Sequence, residues 1–208
     1  MNAHVRAAET RLPTWITPIF LCSGFAALIY QIVWQRVLFA AFGITIQAVT
    51  IVVTAFLLGL GFGSLVGGEL SKTARRLLLW FGAMELCVGL YGSVSVPLFR
   101  SVGELAATWP VTIAEVASFV LVLVPTLLMG ATLPLLVAYA VRISGNVGRS
   151  VGWLYFVNTA GSAVAAIATA LFVLAYLGEQ GAVWLAAAIN ATVGILVLSR
   201  HRRSMRSA

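Results

Sequence analysis

The sequence predicts an all-α fold: a polytopic membrane bundle of about six transmembrane helices, with both ends on the cytoplasmic side. Three observations predict it. First, 61% of the 208 residues are hydrophobic and only 9% are charged, whereas a soluble domain carries about 25% charged residues. Second, apolar stretches of about 20 residues recur, and that length crosses a hydrocarbon core of about 30 Å. Third, lysine and arginine fall almost entirely in alternate connecting segments.

The expected spans run over about 15–34, 44–67, 77–98, 111–141, 151–177 and 182–198. A tail over 1–14 precedes the helical domain (15–199), and a basic tail over 200–208 follows it. Each span must be helical, because an isolated strand leaves its backbone groups unpaired in lipid. The first apolar run is too long for a signal peptide and closes on Gln31, Trp34, Gln35 and Arg36 without a small-residue cleavage site, so a retained helix is expected.

Orientation follows from the cations. With six spans and the N-terminus inside, inner segments hold Arg6, Arg11, Lys72, Arg75, Arg76, Arg142, Arg149, Arg200, Arg202, Arg203 and Arg206, and outer segments hold Arg36 and Arg100. An odd number of spans would put the C-terminal cluster outside, against the rule. Most simply, that tail is a stop and orientation signal, and its charges also suit anionic lipid.

The fourth stretch is longer than a span requires. Its apolar run over 111–141 contains Pro125, Gly130 and Pro134. Proline removes a backbone donor and clashes with the preceding turn, so a kinked or broken helix is expected. The residues allow either a packing kink or a helix break that lines a substrate cavity.

Small residues mark packing faces. Gly59, Gly63 and Gly67 recur every four residues on span two, and Gly161 shares a face with Ala165 and Thr169 on span five. Such spacing lets helix backbones approach closely. The Gly59–Gly63 pattern is no dinucleotide loop, since it lies inside a span rather than between a strand and a helix.

Glu85 is the most informative single residue. It lies mid-span with no charged neighbour, and a carboxylate there must be protonated, paired or facing water. It reads either as a proton- or cation-binding group or as a neutral side chain bonded across helices, with Gln47, Asn158 and Asn190 as candidate partners. Gln31 and Gln35 share a face one turn apart. Trp34 and Arg36 read as outer-interface anchors, or as a vestibule in which Arg36 meets Glu115 or a ligand. The candidate ligand-binding set is therefore Glu85, Gln31, Gln35, Arg36, Asn158 and Glu115.

Other chemistries find little support. The net charge of +7 sits in short clusters at span ends, not in a basic stripe interleaved with aromatics, so no nucleic-acid partner is expected. Cys22 and Cys87 lie in apolar stretches, His4 and His201 lie in the tails, and no metal-ligand spacing occurs. No cofactor is expected. The chain has no aspartate, and none of its six glutamates pairs with a Ser, Cys or His in a catalytic spacing, so no enzyme is expected.

Four segments together carry a family resemblance: SGFAALIYQIVWQR over 23–36, the glycine run over 59–68, PTLLMGATLPLL over 125–136, and GWLYFVNTAGS over 152–162. They resemble the membrane domain of the fused spermidine synthase-like proteins, whose helices precede a soluble aminopropyltransferase-like domain. The sequence ends at Ala208, and the soluble domain is expected to be absent. The resemblance also implies half of a major-facilitator-type transporter: the loop over 68–76 is similar to that family's basic loop, with Lys72 where an aspartate stands. It implies a place in the bacterial inner (cytoplasmic) membrane. Two functions follow. One is a transporter-like bundle that moves or binds small cations such as polyamines. The other is a non-catalytic membrane scaffold that docks a soluble aminopropyltransferase-like protein or a larger complex. The expected partners are the lipid bilayer and a second copy or another membrane subunit.

Overall fold

The computed structural model describes residues 12–42, 46–74 and 76–206, with side chains described outside 42–48 and 203–206. Every secondary-structure element among the described residues is a helix: α1 (Ile16–Phe42), α2 (Ile46–Thr73), α3 (Leu77–Ala106), α4 (Val111–Ser144), α5 (Val147–Ala168), a π-helical turn (Thr169–Val173) and α6 (Leu174–Arg206). Among them are five helical stretches long and apolar enough to cross a membrane. The last runs over 147–202 without an intervening loop. At 1.5 Å per residue a straight helix of that length would reach about 84 Å, and it is interrupted at Gly178. There φ is 64° and ψ is −174°, a left-handed conformation open to glycine at little cost.

Contacts on either side of that interruption are informative. Trp153 donates its indole N–H to Thr17 Oγ1 at 3.1 Å, and the Arg200 guanidinium lies 5.1 Å from the centre of the Trp15 ring. Residues 153 and 200 therefore both reach the start of α1. Glu179, beside the interruption, reaches Arg100 near the end of α3 (2.8 Å) and Arg36 (3.7 Å).

The tightest seam joins α2 to α4. A Cβ at Gly59 would strike the Thr126 side chain, one at Gly63 the Leu127 carbonyl, and one at Gly67 the Ala131 backbone. From the other side, Gly130 sits against the backbone of Leu60. Gly161 likewise lies against the Leu21 carbonyl and brings α5 onto α1. Large residues fill the centre: Tyr30, Trp34 and Phe99 are buried, with the Tyr30 and Trp34 rings stacked 5.0 Å apart. Outward faces carry Leu57, Phe62, Leu65, Ile167, Phe172 and Ile195, all exposed, as a lipid-facing surface requires.

Three expectations are corrected. α4 is one continuous helix, and Pro125, Gly130 and Pro134 all lie within it, so the chain is not broken there. A neighbour supplies part of the reason. Pro125 offers no N–H to the carbonyl four residues back, and the Tyr91 hydroxyl donates to that Leu121 oxygen at 2.6 Å. Pro97 in α3 repeats the pattern: it leaves the Ser93 carbonyl free, and the Trp184 indole N–H donates to it at 3.2 Å. Second, Trp34 is not an interface anchor. α1 continues two turns beyond it, so Trp34 is buried and donates to Ser95 Oγ at 2.8 Å. Third, Arg36 meets Glu179 rather than Glu115.

Candidate functional site

The site is a cavity of about 390 Å³ between the helices, with Glu85 buried at its depth and the exposed Tyr155 and Gly61 at its rim. A volume of that order suits a small ligand. Every helix contributes to its wall: Ser23 and Gln31 from α1, Ser64 from α2, Glu85 from α3, Gly130 from α4, Tyr155 and Asn158 from α5, and Asn190 from α6.

Glu85 is 1% exposed. The Ser23 hydroxyl donates to its Oε1 at 2.6 Å, while Oε2 is buried with no hydrogen-bond partner among the described residues. Asn190 Oδ1 is in the same condition. Buried oxygens of this kind are costly unless something donates to them. Gly130 also lines the cavity. Pro134 offers no N–H to the Gly130 carbonyl, which therefore loses the usual helical donor. At the corresponding positions below Pro97 and Pro125 a side chain from another helix supplies the bond.

No arginine or lysine is among the described lining residues, and Glu85 is the one carboxylate there among side chains that carry hydroxyl and amide oxygens. Such a wall complements a group that only donates, such as an ammonium. On α5, Ser162 Oγ lies 3.0 Å from the Gly24 carbonyl and 3.1 Å from that of Asn158. A Cβ at Gly24 would strike Asn158, so this glycine lets α5 close on the cavity.

Of the sequence-derived candidates, Glu85, Gln31 and Asn158 meet at the cavity, as does Asn190. Gln35, Arg36 and Glu115 do not line it; Arg36 is exposed and engaged with Glu179. The Gln47 side chain lies outside the described residues. Sequence reasoning missed Ser23, the hydrogen-bond partner of Glu85. It sits at the head of the segment over 23–36, but nothing in periodicity pairs two residues 62 positions apart.

Comparison with known proteins places these residues in context. No family model matches the chain, and no solved structure matches it. It is 24% identical over 198 residues to the polyamine aminopropyltransferase of Oceanobacillus iheyensis, covering 95% of this chain and 37% of that protein. It is 26% identical over 197 residues to polyamine aminopropyltransferase 1 of Streptomyces coelicolor, covering 94% of this chain and 35% of that protein. Both relatives are named as enzymes, which corrects the expectation that the chain stands apart from enzymes. That expectation rested on the lack of a nucleophile-and-base pair within these residues, and the chain spans only about a third of the relatives' length. The chain is thus an all-helical, apolar structure with a distant similarity to about a third of two polyamine aminopropyltransferases.

Proposed function

We propose that this chain is the membrane-spanning part of an aminopropyltransferase-like system and that its bundle binds a polyamine ammonium in the Glu85 cavity, as a transporter half would. The observation that carries the reading is the pairing of two unpartnered buried oxygens, Glu85 Oε2 and Asn190 Oδ1, on a cavity wall without a basic side chain. The names of the two relatives support the choice of polyamine among small cations.

The reading includes a topology. Six spans, with a reversal at Gly178, account for how Trp153 and Arg200 both reach the start of α1 while Glu179 reaches Arg36 and Arg100. The arginine asymmetry then puts both termini on the cytoplasmic side of a bacterial membrane. Six helices match one half of a major-facilitator-type transporter, so movement of the cation across the bilayer would need a second copy or another subunit.

The test uses the purified protein in mild detergent and in proteoliposomes, with radiolabelled spermidine as probe. Wild type should bind spermidine, and Glu85→Gln should weaken binding about tenfold or more, the loss of one buried charge-assisted bond. Equal binding by the two proteins, or none by wild type, would sink the reading.

A further inference from the structure

The end of the bundle that carries most arginines holds a second cavity, of about 660 Å³, which shares no lining residue with the Glu85 cavity. Arg76, Arg142, Arg200 and His201 line it, with Trp15 and Tyr139 facing one another across 6.0 Å. No acidic residue is on its wall among the described residues. Of the described glutamates, Glu69 pairs with Lys72 and Glu179 with Arg36 and Arg100, and no ion pair joins Arg76, Arg142 or Arg200. Arg142 uses one nitrogen, Nη2, to hold the Ser71 and Ala74 carbonyls at the end of α2, at 3.1 Å each. Nε2 of His201 is buried with no hydrogen-bond partner among the described residues. Three guanidiniums and an unpartnered imidazole nitrogen around a cavity of this size fit a phosphate.

A second feature identifies the source of that phosphate. An apolar groove of about 400 Å³ adjoins the cavity and shares Trp15, Leu196 and Arg200 with it. It runs between α1 and α6, from Trp15 to Cys22 on one side and from Arg200 to Ala188 on the other. At 1.5 Å per residue the α6 side extends about 18 Å, the reach of an acyl chain. A soluble phosphate would have no use for this groove.

We propose that the two cavities together form a site for one anionic phospholipid, with its phosphate among Arg76, Arg142, Arg200 and His201 and one acyl chain along the α1–α6 groove. Basic pockets at helix ends hold anionic head groups in this way. The site is independent of the cation reading, and Glu85→Gln should leave it unchanged.

Native mass spectrometry of the delipidated protein tests it with three probes: palmitoyl-oleoyl phosphatidylglycerol, the matching phosphatidylethanolamine, and inorganic phosphate. Wild type should retain phosphatidylglycerol about tenfold or more over phosphatidylethanolamine, as expected for several arginines near the phosphate. Arg76→Gln with Arg200→Gln, both at exposed positions, should erase that preference. Ala188→Trp, which fills the groove from an exposed position, should weaken retention of both lipids. Wild type with no preference between the lipids would overturn the proposal without recourse to any variant. Displacement of phosphatidylglycerol by millimolar inorganic phosphate, together with indifference to Ala188→Trp, would mark a free-phosphate site and overturn the lipid assignment.

Discussion

The α2–α4 seam and the Glu85 cavity adjoin, sharing Leu60 and Gly130, yet they are built on opposite rules. The seam removes side chains until backbones touch: Gly59, Gly63 and Gly67 on one helix and Gly130 on the other leave no room for a Cβ. The cavity keeps its side chains and leaves two of their oxygens without donors among the described residues. In lipid there is no hydrophobic force to drive helices together, so close packing and interhelical hydrogen bonds must hold the bundle. The seam meets that need by packing. The cavity meets it only in part, and the unmet part is where a ligand can bind.

The largest stability effect should therefore fall on the seam. Gly63→Ala must push a Cβ into the Leu127 carbonyl, which is backbone and cannot swing aside; overpacking of this kind costs about 1–3 kcal/mol. Gly68 lies five residues along the same helix with open space beyond it. There the same substitution should be neutral or should stabilise by up to about 1 kcal/mol, since alanine is the better helix former. Unfolding midpoints in detergent measure both. Equal changes at the two positions would show that the seam is not held by backbone approach.

Glu85→Gln should show the opposite profile. Its stability should stay close to wild type, because the amide keeps the shape of the side chain and an acceptor for Ser23, while spermidine affinity falls about tenfold or more. Gly68→Ala should leave that affinity unchanged. A Glu85→Gln protein that unfolded readily while still binding spermidine would make Glu85 a structural bond between helices and dissolve the contrast with the seam.

How much of this was legible in the sequence depends on the reach of each interaction. Glu85 stood out because a carboxylate in the middle of an apolar run is costly wherever it points. The glycines of α2 stood out because spacing by four defines a face. Ser23 did not, since serine occurs in spans for many reasons and its bond to Glu85 is set by how α1 meets α3. Trp34 reads as an anchor only if the first polar cluster on α1 ends the helix, and Val37, Leu38 and Phe39 carry the apolar run further. Of the two outcomes open for α4, a kink or a break, the break does not occur, and the reason is related: the cost of a proline within its own helix is offset by a donor that sits on α3.

That last point yields the smallest and most specific effect. Tyr91→Phe removes the donor to the Leu121 carbonyl and should cost about 0.6 kcal/mol, the average for hydrogen bonds between membrane helices. Pro125→Ala restores a backbone N–H at the position that would otherwise serve the same oxygen. In that background the cost of Tyr91→Phe should shrink towards zero, because Leu121 regains its helical donor. The double-mutant cycle isolates this coupling. A cost for Tyr91→Phe that is the same with proline or alanine at 125 would mean that the hydroxyl does not compensate for the proline, and the continuity of α4 would then rest on packing along the glycine seam alone.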